Sequence, residues 1–558
     1  MTSRLPVPFG AQLATTVLLV LVGAGLRLWQ YFANASLWID ELAVTRNIID
    51  RSAARLLDPL DYAQVAPLGF LLVQKGTTTL LGTDEYALRA FPLVCGMASL
   101  VLFWALAKRV LSGWAIPFAV GLFSFGIPFI YLSSQVKQYS SDVAAALFLM
   151  LASLEFYRRG ISARRALWLG LAGAGLAWFS QPALFVMTGI GAGLLVLVLR
   201  GRDGRDRAAF RSCSIIWACW GASAAAVALR ALRSVPELDR EYFRWFWSGG
   251  FMPLPPHSLS DMFWIPGKFI WVFGKFQLGL GRTDGGLGYR WSPVFALAMA
   301  WGFWVLWKKQ RDAALFLLLP ILVVVGLSGA EIYPLTARLL AFLIPLLLLA
   351  VAAGASDLLT RMQYRFQFVG TVLLAVLIGA PIYAIATALP PSWIQHFRPV
   401  MAHLSDRHEP GDRIYVYSGA GLAFSYYAAR FGIQQEGVML GRCSLSDPRS
   451  YLRELDSLRG QKRVWLVATH EQRDGELQVI LGYLDQLGRR LDSVVEPASS
   501  GRPIENAYGY LYDMSDRERL ASVSAENYAL PVTFEPLPET AARWGCHGIT
   551  GGVPRGQP

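Results

Sequence analysis

Apolar runs of about 20 residues recur along the first 389 positions, and no other feature narrows the outcome as much. A helix of that length, rising 1.5 Å per residue, spans the ~30 Å hydrocarbon core of a bilayer. Eleven such runs can be read, at about 11–33, 89–107, 114–132, 142–157, 166–180, 183–199, 212–232, 292–307, 313–329, 339–356 and 367–389. Only 16% of the residues are charged, against about 25% in an ordinary soluble domain, so a purely cytosolic or disordered chain is excluded. The stretch 66–82 is also apolar, but Gln74, Lys75 and three threonines interrupt it, and a re-entrant or interfacial helix is expected there. The first run is expected to anchor the chain rather than to be cleaved: Arg4 alone precedes it, and Arg27, Leu28 and Trp29 stand where a cleavage site needs small residues.

Charge orients these spans, because Lys and Arg stay on the cytoplasmic side of short connections. The net charge of +12 looks at first like a nucleic-acid signal. Residues 1–389, however, carry 33 Lys+Arg against 19 Asp+Glu, and the remainder 18 against 20. The basic groups at Arg4, Lys108–Arg109, Arg158–Arg165, Arg200–Arg211, Lys308–Arg311 and Arg361–Arg365 fall on every second connection. An inside N-terminus and an outside C-terminus follow. Counting 66–82 as a full span would place the arginine clusters outside.

From about Pro390 the pattern changes. Strand-like runs at 413 (RIYVYS), 463 (RVWLVATH), 491 (LDSVVE) and 508 (YGYLYDM) alternate with helix-like segments near 421–431, 449–458 and 476–488, the pattern of a small α/β domain. The expected organisation is a transmembrane catalytic domain over 1–389, an extracytoplasmic α/β domain over 390–535 and a flexible tail over 536–558. Cys95, Cys213 and Cys219 fall in or beside spans, whereas Cys443 and Cys546 lie outside and could pair in an oxidising compartment. No P-loop, H-E-x-x-H or Asp-x-Asp pair is present. The glycines of 281–288 have no evident helix after them, and His396, His403 and His408 read as surface histidines rather than metal ligands.

Carboxylates beside a membrane are costly without a partner or a task. Asp40 and Glu41 follow the first span, where Asp40 can be an ordinary helix cap or a reactive group. Lys137, Tyr139 and Asp142 stand at the outer entrance to the fourth span, with Tyr139 and Asp142 on one helix face. Their alternative role is interfacial anchoring. Arg338, in Tyr333–Arg338 at the tenth span, suits either lipid headgroups or a bidentately held phosphate. The aromatic loop 233–291, which carries His257, is a membrane-surface loop, a lid over a lipid-like substrate, or both.

These pieces together, WIDEL after the first span, YAQVAPLGFLL, Leu88–Pro92, KQYSSD and YPLTARLLAFLIP, resemble the polytopic GT-C glycosyltransferases. Within them the chain is similar to the bacterial family 39 group, which contains protein O-mannosyltransferases and the lipid A aminoarabinose transferase. The similarity covers about residues 10–355. It implies a GT-C fold of about 11 transmembrane helices, with juxtamembrane helices in the first outer loop, joined to the C-terminal α/β domain. It also implies transfer of a hexosyl or pentosyl group from a polyprenyl-phosphate-linked donor to a hydroxyl of a protein, lipid or polysaccharide. The transfer would be inverting and on the periplasmic face of a bacterial inner membrane. Asp40 is then the general base, Glu41 and Asp142 orient sugar or acceptor, and Lys137 and Arg338 neutralise the phosphate; Tyr139, Gln64 and His257 complete the substrate-binding set. Where the family has an acidic residue or histidine before a Pro-Pro pair, this chain has Gln64-Val65-Ala66-Pro67, which removes a metal ligand or acceptor group at that place. No nucleotide is needed; a divalent metal is left open as the one cofactor, and no nucleic-acid partner is expected.

The chemistry of the residues agrees on one point. A glycosyl phosphate leaves without being protonated, so one base and cations on the phosphate suffice, unlike the carboxylate pair of a glycosidase. The alternatives are a transporter or flippase for lipid-linked sugars and a non-catalytic envelope assembly protein. A transporter predicts ionisable residues deep inside spans or paired halves, whereas here the charges lie at span ends and no duplication is apparent.

Overall fold

A computed structural model describes residues 9–200, 207–235, 237–274, 287–365, 367–387, 391–537 and 546. In chain order the helices are α1 (Phe9–Phe32), α2 (Ile39–Asp50), α3 (Leu68–Leu81), α4 (Glu85–Val110), α5 (Ala115–Ser124), α6 (Ile127–Leu132), α7 (Tyr139–Arg158), α8 (Ala163–Leu176), α9 (Ala183–Leu199), α10 (Arg207–Ser234), α11 (Glu237–Phe246), α12 (Leu259–Met262), α13 (Trp264–Val272), α14 (Leu287–Lys309), α15 (Arg311–Gly329), α16 (Ile344–Arg365) and α17 (Gln367–Thr387). They are followed by α18 (Arg398–Arg407), β1 (Arg413–Val416), α19 (Gly421–Tyr427), β2 (Val438–Leu440), α20 (Arg449–Asp456), β3 (Val464–Thr469), α21 (Glu476–Leu487), β4 (Arg489–Glu496), β5 (Ala507–Asp513) and α22 (Arg517–Ser522). The chain packs as two units. One holds 1–33, 66–235 and 246–391; the other holds 34–65, 236–245 and 392–558.

In the first unit all eleven apolar runs are helical, and the fold is that of a polytopic α-helical membrane protein. Among the described residues six helices, α1, α4, α7, α10, α15 and α16, are long and apolar enough to cross a membrane by themselves. The run 114–132 differs from expectation in being broken into α5 and α6. Pro128 brings no N–H, and Gly126 is extended at ψ 102°, so the helix stops and its last carbonyls lose their partners. Arg27, buried near the C-terminal end of α1, donates Nη1 to Ser124 O at 3.3 Å and to Gly23 O at 2.9 Å, which satisfies a charged group inside an apolar helix. The 66–82 segment forms the 14-residue α3, whose buried Gln74 donates to Leu88 O at 2.9 Å. Helix α14 begins at Leu287. A helix therefore does follow the glycine run, contrary to expectation; residues 281–286 lie outside the described residues.

Among the described residues, the basic groups around Arg109, Arg158, Lys309 and Arg361 come together through shared carboxylates and carbonyls. Arg158 on α7 bonds Asp312 Oδ2 at 2.6 Å, Gln310 Oε1 at 2.7 Å and Arg109 O at 2.5 Å. Lys309 and Arg361 share Asp357 at 3.0 and 2.7 Å. The basic ends of α4, α7, α14, α15 and α16 are thus grouped. Helices α14 and α16 cross with backbones almost touching. A Cβ on Gly302 would lie 1.7 Å from Ala350 O, and one on Gly354 1.9 Å from Ala298 O; such small-residue crossings replace the absent hydrophobic drive in lipid.

The second unit is a mixed five-stranded sheet in the order β2-β1-β3-β5-β4, parallel among β2, β1 and β3 and antiparallel through β5 and β4. Every residue of the central β3 is buried, as expected of a strand covered on both faces. The four sequence-read strands are present; β2, three residues long and partly exposed, carries too short a pattern to be seen in advance. Cys443 and Cys546 form a disulfide with Cα atoms 5.6 Å apart. Of the expected tail, residues 538–545 and 547–558 lie outside the described residues.

Candidate functional site

The second unit carries the WIDEL segment on the first turn of α2. Asp40 is not the cap. Trp38 occupies that position with extended backbone (φ −90°, ψ 169°), and Glu41, almost wholly buried, accepts its N–H at 3.4 Å through Oε2. Asp40 stands half-buried at the second helical position, where the positive end of the helix dipole favours an anion.

Side chains of the α/β fold hold this turn. Tyr427 Oη accepts Leu37 N–H at 2.9 Å, and Gln395 Oε1 accepts Ile39 N–H at 3.0 Å. Ser36 donates N–H to His396 Nδ1 at 3.2 Å and accepts Arg398 N–H on Oγ at 2.8 Å. The other end of the Gln395 amide faces His470 Nδ1 at 2.8 Å. Because Oε1 is engaged by a backbone donor, Nε2 must be the donor to His470, which leaves the imidazole proton on its own Nε2. His470 immediately follows β3 with φ +53°, a left-handed conformation that costs a non-glycine residue energy and often marks a functional position. Burial pushes its pKa down to about 4, opposed by the nearby Asp40 carboxylate, so the ring is neutral at neutral pH. Gly419 makes room for this strand end: a Cβ there would lie 2.2 Å from His470 O.

The first unit carries the KQYSSD segment. Lys137, Tyr139 and Asp142 are all buried, at 6%, 6% and 5% exposure, so interfacial anchoring does not describe them. Asp142 Oδ1 has no hydrogen-bond partner within the protein, an uncommon condition for a buried carboxylate oxygen. Tyr333, from the α15–α16 connection, lies near both Asp142 and Tyr139; burial first, then these neighbours, raise its hydroxyl well above the usual phenol range. Its Oη donates to Leu339 O at 2.8 Å. Arg338 sits on a 3-10 turn ahead of α16 rather than on the helix itself, with its guanidinium 5.2 Å from the centre of the Trp247 ring. The aromatic loop is fixed there by Leu335 N–H donating to Gly250 O at 2.7 Å and Met252 N–H to Ser328 Oγ at 3.0 Å.

Within the units, then, Lys137, Tyr139 and Asp142 share one turn, and Arg338 follows Tyr333 on the connection beside them. Asp40 and Glu41 share another turn with Gln395 and His470. His257 is exposed and its backbone N–H caps towards Asp261 at 2.8 Å. Gln64 donates to Tyr62 O at 3.0 Å, in a turn whose Tyr62 and Ala63 have positive φ. Sequence reasoning missed Gln395, His470, Tyr427 and Trp247. Only a histidine closing a strand of apolar residues, at the carboxyl edge where α/β sheets bind ligands, could have singled out His470. His396 bonds Ser36 and His403 bonds Asp492 at 2.7 Å, so the loose histidine group has separate structural tasks. Among the described residues no three His, Cys, Asp or Glu side chains gather as a cation requires; the divalent metal left open by the sequence finds no donor set there.

No protein-family model and no curated protein matches the sequence. Solved structures do match. The archaeal oligosaccharyltransferase AglB of Archaeoglobus fulgidus, in complex with an inhibitory peptide and a dolichol-phosphate, aligns at a TM-score of 0.50 and 12% identity, over 89% of this chain and 74% of that one. ArnT of Cupriavidus metallidurans bound to undecaprenyl phosphate aligns at 0.47 and 11% identity, over 90% of this chain and 98% of that one. The likeness to AglB at this identity shows a shared fold over most of this chain, membrane helices and the smaller sheet-bearing unit together.

Proposed function

We propose that the chain is a membrane glycosyltransferase that moves a sugar from a polyprenyl-phosphate-linked donor to an acceptor hydroxyl on the outer membrane face. The observation that carries this reading is the GT-C fold, shared over most of the chain with an oligosaccharyltransferase solved with a dolichol-phosphate. The disulfide between Cys443 and Cys546 supports an extracytoplasmic α/β domain, and the grouped basic ends support the matching orientation of the helices.

In the reaction Asp40 accepts the proton of the acceptor hydroxyl while its oxygen forms the new bond to the anomeric carbon. The bond from that carbon to the phosphate oxygen breaks with its electron pair, and inversion follows from attack on the opposite face. Lys137 and Arg338 offset the charge that develops on the leaving phosphate. Asp142 and Tyr139 orient the sugar. Glu41, bonded to Trp38 N–H, holds the turn that carries the base. Burial of Lys137 strengthens its effect on an anion, since electrostatic interactions grow as water is excluded.

Reconstituted protein incubated with a panel of prenyl-phosphate sugars and hydroxyl acceptors tests the reading by mass spectrometry. Expected is one released prenyl phosphate per glycosylated acceptor, with the anomeric configuration inverted. Movement of an intact lipid-linked sugar between leaflets, with no bond broken, would replace the enzyme by a transporter.

A further inference from the structure

The hydrogen bonds around α2 run in one direction. His470 Nδ1 accepts from Gln395 Nε2, and Gln395 Oε1 accepts from Ile39 N–H, the backbone group one residue ahead of Asp40. Gln395 is 2% exposed, and its two amide atoms are each matched to one partner of the opposite kind, so its orientation is determined. His470 is held in a left-handed conformation at the carboxyl end of β3, between the parallel and antiparallel halves of the sheet. In open α/β sheets that edge is where ligands sit; here it grips the first turn of α2 from the chain itself.

We propose that Gln395 and His470 are positioning residues for Asp40: they lock the first turn of α2 so that the Asp40 carboxylate is presented in one orientation, and the α/β domain is thereby a working part of the catalytic machinery. The proposal rests on Asp40 being the base. A base must be aligned within hydrogen-bonding reach of the proton it takes, and errors near 1 Å cost about 100-fold in rate. A helix start is otherwise the loosest part of a helix, with its N–H groups unpaired. Ile39 N–H is tied to a side chain that is itself tied to the residue following the central strand. Asp40 directly follows Ile39, so its carboxylate is carried on the same fixed turn.

The test uses full-length protein with Gln395→Ala, His470→Ala, His470→Asn and Asp40→Asn, reading kcat, the KM of the lipid donor and thermal unfolding. Gln395→Ala and His470→Ala should lower kcat at least tenfold, with donor KM within twofold and an unfolding temperature close to wild type. His470→Asn should recover kcat to within about threefold, because its amide oxygen can accept from Gln395 as Nδ1 does and asparagine tolerates the left-handed backbone. If Gln395→Ala destabilises the protein, the two His470 variants decide. Wild-type kcat in the alanine variants, or loss without recovery in His470→Asn, would overturn the relay while leaving the base in place. Full transfer by Asp40→Asn would instead remove the base itself, a distinct outcome.

Discussion

At the scale of single residues, the buried acids separate by what surrounds them. Glu476, at the start of α21 and 1% exposed, accepts the Tyr417 hydroxyl at 2.5 Å on Oε2, while its Oε1 has no partner. Burial pushes its pKa up to about 7, although the Tyr417 bond pulls the other way. A carboxyl raised in the folded state is neutral there while ionised in the unfolded chain, so stability falls as pH rises from about 4.5 to about 7. His470 has the opposite slope: with its folded value pushed down to about 4, it withdraws stability as pH falls below about 6.5. Glu476→Gln should therefore unfold at a higher temperature than wild type at pH 8 and converge with it near pH 5, followed through the fluorescence of the buried Trp465. A difference that grows towards acid would contradict this. The Trp247–Arg338 stack predicts a binding effect: Trp247→Ala should raise the donor KM several-fold with smaller change in kcat, since it loosens a cation assigned to the phosphate.

At the scale of elements, the apolar period and the charge at each end made the membrane helices legible, because length and the cost of burying charge act locally. The break at Gly126 and Pro128 was visible as residues but overridden by the hydropathy of the whole run. The Gly302–Gly354 crossing was not legible, since it depends on which two helices meet. Gly302→Val should reduce folded yield and lower the unfolding temperature by several degrees, because overpacking at such a contact costs about 1–3 kcal/mol or more. A valine variant with wild-type stability would show that α14 and α16 stand farther apart. Asp40, Lys137, Asp142 and Arg338 were legible as polar residues at span ends. The partners of Asp40 were not, because Gln395 and His470 lie some 350 and 430 positions away in the chain, and only the fold of the second unit brings them to α2.

At the scale of the whole molecule, the grouping of Arg158, Asp312, Lys309, Asp357 and Arg361 at one end of the bundle predicts its sidedness. Arg164→Cys should react with an impermeant maleimide only after cells are opened, whereas Gln435→Cys, on the exposed surface of the α/β domain, should react in intact cells. The reverse pattern would put the proposed chemistry on the wrong face. The central claim is that one carboxylate on the first turn of α2 removes the acceptor proton during lipid-linked sugar transfer. General-base catalysis typically contributes 10²- to 10⁴-fold. Initial rates of labelled-sugar transfer by reconstituted wild type and Asp40→Asn, matched for folded protein, measure it directly. The account predicts a loss of about a hundredfold or more with donor binding retained; an asparagine variant that transfers at the wild-type rate would contradict it.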